Sequence, residues 1–171
     1  MNAPHTELLP RDFAPDSRVW IYQSPRPFQL SEAQAIKTMF EDFVRDWNSH
    51  GTLVKGYADL FYDQFIVLMA DETATGVSGC STDSSVRLIK AIEQRFGVPL
   101  FDRLLLAFLK KEKVQMVPLS QLQDALDHYY LNKDTLYFNN TVQTKAELET
   151  KWLIPLKDSW LALQYLSASA R

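Results

Sequence analysis

The sequence predicts an α+β protein, an antiparallel sheet with helices packed on it, and three observations predict it. Short β-branched and aromatic runs alternate with longer stretches whose apolar residues recur every three or four positions. Capping boxes at Ser31, Ser120 and Thr144 mark helix starts. The resulting order is β-α-β-β-α-β, then a β-α-β extension and a C-terminal tail. Its first six elements match the split β-α-β, or ferredoxin-like, arrangement.

Arg18 to Gln23 (RVWIYQ) reads as a strand, stopped by Pro25-Arg26-Pro27. Ser31-Glu32-Ala33-Gln34 opens a helix with Ala33, Ile36, Phe40, Phe43, Val44 and Trp47 on one face, and Gly51 is placed to end it. Leu53 to Tyr62 and Gln64 to Ala70 read as a hairpin, and the unbroken FIVLMA run suits a central strand. After a small, polar stretch from Asp71 to Thr82, a second helix is expected from Thr82 or Asp83 to Phe96. Val86, Ile89, Ile92 and Phe96 share its face, and Gly97 and Pro99 close it. Leu104 to Leu109 and Val114 to Val117 read as strands joined by a charged turn. Ser120 opens a third helix, Thr135 to Phe138 is a short strand, and Thr144 opens a short helix before Pro155. The tail from Asp158 to Leu166 fits helix and strand equally.

At 171 residues the chain suits one domain. That domain is expected at 18–171, behind an extended leader at 1–17 that holds three of the eight prolines. A formal charge of −3 and the lack of any run of five basic residues argue against a nucleic-acid partner. One cysteine excludes an internal disulfide and a Cys-rich zinc module. The longest apolar runs, Phe65 to Ala70 and Leu104 to Leu109, fall far short of the ~20 residues that span a membrane. The first residues carry no export signal, so a cytoplasmic location is expected. No HExxH or EF-hand pattern occurs, and neither metal nor cofactor is expected.

The candidate chemistry centres on the stretch before the second helix. Cys80 stands in Ser78-Gly79-Cys80-Ser81-Thr82-Asp83, where unpaired amides and the helix dipole lower a thiol pKa. The bland reading is a small buried residue that packs the helix start. The topology brings His50 to the same end of the sheet, so Cys80 and His50 form a candidate catalytic pair; alternatively His50 caps the first helix. Without cysteine chemistry, Gly76, Ser78, Gly79, Ser81, Thr82 and Asp83 form a candidate ligand cradle for a small anion, with Lys110, Lys111 and Lys113 expected near it. Asp83 also suits the role of helix cap, which weakens that cradle. Asn139-Asn140 suits a ligand contact or, more simply, a turn. Trp152 and Trp160 suit a partner surface or a cover over a sheet face.

The stretches VWIYQS (Val19 to Ser24), VSGCSTDSSV (Val77 to Val86), FGVPLFDR (Phe96 to Arg103) and FNNTVQTKAELETKW (Phe138 to Trp152) resemble a family of small bacterial proteins with no established activity. Some of its members carry the automatic label "ABC transporter ATPase". The resemblance spans Arg18 to Trp160 and implies no site residues. The label implies a G-x-x-x-x-G-K-[ST] loop. Here Gly76 and Gly79 are the only close glycine pair, and Cys80-Ser81 stands where Lys-Ser/Thr is required, so ATPase activity is not expected.

The leading expectation is a non-catalytic module that binds a small ligand or a protein partner through the loop at 76–85. The alternative is a thiol-dependent enzyme or redox sensor using Cys80 with His50. A homo-oligomer joined through an exposed sheet edge or face is the third.

Overall fold

The computed structural model describes residues 5–73 and 79–167, and of 79–81 the backbone alone. Its first half runs through strand β1 (Arg18–Gln23), helix α1 (Leu30–Asp46), the small hairpin β2 (Asn48–Ser49) and β3 (Thr52–Leu53), strands β4 (Lys55–Phe61) and β5 (Phe65–Asp71), and helix α2 (Gly79–Phe96). The second half contains β6 (Leu105–Lys110), β7 (Lys113–Pro118), α3 (Leu122–Asp127), β8 (Leu136–Phe138), α4 (Lys145–Lys151), β9 (Leu153–Pro155) and α5 (Ala162–Tyr165). The fold is α+β, as the sequence predicts.

The FIVLMA run is the central strand of the first sheet, whose order is β1-β5-β4 with antiparallel neighbours. All seven residues of β5 are buried, because each of its faces is covered. Ile66 and Leu68 point to one face and pack with Leu60 beneath Ile36 and Phe40 of α1 and Ile89 and Ile92 of α2. Phe65, Val67 and Met69 point the other way and meet Ala107, Phe138, Leu148 and Trp152. Burying one such side chain contributes about 1.5–3 kcal/mol, so a strand buried on both faces anchors two cores at once. β5 inserts between the parallel strands β1 and β4, which is the split β-α-β order. The strand after α2 does not extend this sheet beside β1. It starts a second sheet, in the order β7-β6-β8-β9. The outer face of that sheet, with Leu106, Phe108 and Tyr137, is covered by Leu122, Leu131, Leu156 and Leu161.

Helix boundaries depart from the expected boxes for identifiable reasons. α1 starts at Leu30 with Gln29 as its cap residue, not Ser31. Glu32 governs that start: Arg26, held in the proline turn, grips both carboxylate oxygens at 2.8 and 2.9 Å, while the Gln29 amide donates to Oε2 at 2.8 Å. The Arg26 hydrogen bond, and then the Gln29 amide, hold the Glu32 carboxyl down at about 2. α3 starts at Leu122 after a 3-10 turn at Leu119–Gln121, and no side chain caps it at Ser120. Thr144 is a true cap, its hydroxyl accepting from the Glu147 amide at 3.2 Å. α1 ends at Asp46, and the chain turns at His50 (φ 51) and Gly51 (φ 82) between β2 and β3. Gly51 therefore ends a hairpin turn, not the helix, and His50 is not its cap. α2 begins at Gly79, ahead of the expected Thr82. The tail resolves into β9, a 3-10 turn at Leu156–Asp158 and α5.

The segment expected as a leader packs onto the body. Leu9 and Phe13 are buried in the core between the sheets. The buried Lys145 ammonium donates to the Phe13 carbonyl at 2.9 Å, the Ala146 amide donates to Pro15 O at 2.9 Å, and the Ala14 amide donates to Asp71 Oδ2 at 3.0 Å. His5 Nε2 donates to Leu148 O at 2.9 Å, and its ring stands edge-on to Trp152. Among the described residues no helix is long and apolar enough to cross a membrane.

Candidate functional site

Two strand edges face each other between the sheets. β1 pairs with β5 along one edge. Its other edge touches the chain before α4 only at its beginning, where Arg18 bridges Thr144 and the Val19 amide donates to Gln143 O at 2.9 Å. Strand geometry alternates, so the amides of Ile21 and Gln23 point the same way as that of Val19. Among the described residues no strand lies beside them. In the second sheet β6 and β8 pair only through Phe108–Tyr137 and Leu109–Leu136. The edge of β6 from Leu105 to Ala107 is thus open on the side facing β1.

Between these edges lies a cleft of about 550 Å³, within the range of small-molecule sites. Its floor is apolar, with Val19, Ile21, Ala107 and Phe138. Asn140, Thr141 and Gln143 from the chain after β8, and Arg103 from the chain before β6, add polar groups to the lining. Phe101 and Trp160 also line the cleft and are 42% and 53% exposed, leaving part of each ring accessible to a ligand.

A chain of side-chain hydrogen bonds crosses the cleft where a strand ladder would otherwise run. Trp152 Nε1 donates to Asn140 Oδ1 at 2.9 Å, and Asn140 Nδ2 donates to Gln23 Oε1 at 2.9 Å. Gln23 Nε2 in turn donates to the Leu105 carbonyl. The relay supplies a donor to a β6 carbonyl that has no strand partner on this side, and it fixes the orientation of both amides. The Asn139-Asn140 pair therefore does more than turn the chain, since Asn140 ties three elements together. Burial raises the Tyr22 hydroxyl pKa, opposed by the positive charge of Arg103. Burial also raises that of Tyr137, opposed by the Trp160 indole donating to its hydroxyl at 3.2 Å.

The residues expected from the sequence lie elsewhere. Gly76 and Ser78 fall outside the described residues. Gly79, Cys80 and Ser81 form the first turn of α2, with their side chains outside the description. Thr82 and Asp83 continue that helix, and the Ser85 hydroxyl donates to the Thr82 carbonyl at 2.6 Å. His50 is exposed at the tip of the β2–β3 turn, and β2 packs against α2. The hairpin and that helix therefore share one end of the first sheet. Lys110 is engaged in the second sheet, its ammonium donating to the Tyr130 carbonyl and lying 4.0 Å from the centre of the Tyr130 ring. Among the residues whose side chains are described, no group of three or more His, Cys, Asp or Glu could hold a metal ion.

Sequence reasoning passed over Gln23, Arg103 and Tyr137. Gln23 did leave a trace, as the polar residue that follows the apolar run Val19 to Tyr22. Arg103 left none, because its significance arises only when β6 leaves the first sheet. No family model, no curated protein and no solved structure matches this chain.

Proposed function

We propose that this protein is a non-catalytic binding module whose site is the cleft between β1 and β6. One observation carries the reading: a cleft of about 550 Å³ with an apolar floor and polar walls, kept open between two strand edges by the Trp152–Asn140–Gln23–Leu105 relay. Pre-formed concave sites of this kind, with a few fixed polar groups on an apolar lining, suit small ligands. The fixed amides orient a ligand without activating it, since neither a paired nucleophile and base nor a carboxylate dyad lines the cleft. This gives the binding role to the open edge of β1 in place of the loop at 76–85, while the class of function stays as the sequence suggests. The resemblance to small bacterial proteins fits a cytoplasmic module of this size.

Saturation-transfer NMR against a library of small organic molecules tests the proposal, with Thr141→Trp as the blocked variant. Thr141 is exposed on the cleft wall, so a bulky residue there fills the opening without entering the core. Ligands that bind the parent and are lost in Thr141→Trp, at unchanged melting temperature, support the cleft. Ligands that bind both proteins alike remove it as the site.

A further inference from the structure

Several donors that line the cleft have no acceptor among the described residues. The Arg103 guanidinium stands on its wall and, among the described residues, forms no hydrogen bond or ion pair, although its charge reaches the Tyr22 hydroxyl. Its neighbour Asp102 also lines the cleft, but Asp102 Oδ1 accepts the Leu104 amide at 2.9 Å. The outward amides of Ile21 and Gln23 are backbone donors on the same side of β1 that no described strand satisfies. The Tyr137 hydroxyl accepts from Trp160 and keeps its own proton free to donate. An unpaired cation with neutral donors around it selects an acceptor-rich, negatively charged group, and a guanidinium suits planar oxyanions best.

The apolar part of the site points to the rest of the ligand. Phe101 stacks edge-on against Tyr22 at 5.4 Å and remains 42% exposed. Trp160, which also lines the cleft, is held by Tyr137 and is 53% exposed. Two part-exposed rings lining one cleft favour a ligand with a flat apolar body that can pack on either. Resting on the reading of the cleft as the binding site, we infer that its ligand is an aromatic organic anion: a carboxylate, sulfonate or phosphate on a planar ring system, with the anion at Arg103 and the ring against the aromatic lining of Phe101 and Trp160.

Two dyes that share an aromatic body separate the parts of this inference. Anilinonaphthalene sulfonate carries the anion, and N-phenylnaphthylamine lacks it. The full chain is expected to bind the sulfonate at one site, more tightly than the neutral dye. Arg103→Ala should weaken the sulfonate by about tenfold or more and leave the neutral dye unchanged, with Arg103→Lys falling between. Thr141→Trp should abolish both. Equal binding of the two dyes, insensitive to Arg103 but lost in Thr141→Trp, overturns the anion and leaves the cleft standing. Sulfonate binding that survives Thr141→Trp, or no binding of either dye, overturns the inference together with the cleft. Arg103 is exposed and makes no described bond, so unchanged far-ultraviolet circular dichroism and melting temperature are expected in its variants.

Discussion

The side-chain amides of Gln23 and Asn140, 117 positions apart in the chain, meet at 2.9 Å and join the two sheets across an opening no strand fills. Asn140 receives the Trp152 indole proton on its other atom, and Gln23 passes its own to Leu105. Removing the middle member strands groups on both sides. Asn140→Ala leaves the Gln23 carbonyl and the Trp152 N–H without partners, which should cost about 2 kcal/mol or more. Urea unfolding measures it; a loss under about 0.5 kcal/mol, the scale of an ordinary surface change, would show the relay to be incidental.

Gly56 lies against Trp47, which leaves the end of α1 and is buried. A Cβ added at Gly56 would stand 2.6 Å from Trp47 Cε3, a ring that cannot swing away because Phe43 and Trp20 pack on it. Gly56→Ala should therefore destabilise by about 1–3 kcal/mol, even though alanine is the smallest change available. A melting temperature equal to that of the parent would mean the ring moves freely.

Two sequence boxes of the same form should behave differently. Thr144 accepts the Glu147 amide, so Thr144→Ala is expected to cost about 1 kcal/mol. Ser31 lies inside the first turn of α1, past the Gln29 cap, and Ser31→Ala should change stability by less than about 0.5 kcal/mol. Chemical denaturation of the two variants checks the pair, and a reversed order would return the helix start to Ser31.

Acid should loosen the amino-terminal arm in two stages. Burial lowers the His5 pKa below its ordinary 6.5, opposed by its bond to Leu148 O and by the charge of Glu149. A histidine depressed in the folded state contributes stability above 6.5 that is lost as pH falls below it. Asp71 is held at about 2 against an ordinary 3.8, first by the Thr73 hydroxyl, then by the amides of Ala14 and Thr73, with Lys55 assisting. Its contribution is complete above 3.8 and lost as pH falls through about 2. Limited proteolysis of the arm across this range should show both steps, with the lower one absent in Asp71→Asn. A flat profile would mean that neither group holds the arm.

Much of the fold was legible because its signals are local. The FIVLMA run and the helix periodicities state which faces are buried, and β5 and the two large helices follow from them. Ser31 matches a box, yet α1 starts earlier, because the decisive partner of Glu32, Arg26, lies in the turn before the helix. The site was hidden for a stronger reason. Gln23, Arg103 and Asn140 come from three separate segments, and they meet only because β6 leaves the first sheet to pair with β7 and β8. Nothing in the spacing of the sequence encodes that departure, whereas the glycines and hydroxyl residues from Gly76 to Ser85 are contiguous and carry a local signal.

The most direct measurement is a map of backbone amide shifts in the ¹⁵N-labelled protein as anilinonaphthalene sulfonate is added. The largest changes are expected on Ile21, Gln23, Arg103 and Gln143 and on the Asn140 and Trp160 side chains, with His50 and the first turn of α2 unmoved. Changes centred on the first turn of α2 and the β2–β3 hairpin, with the cleft silent, would contradict it and return the site to the stretch around Cys80.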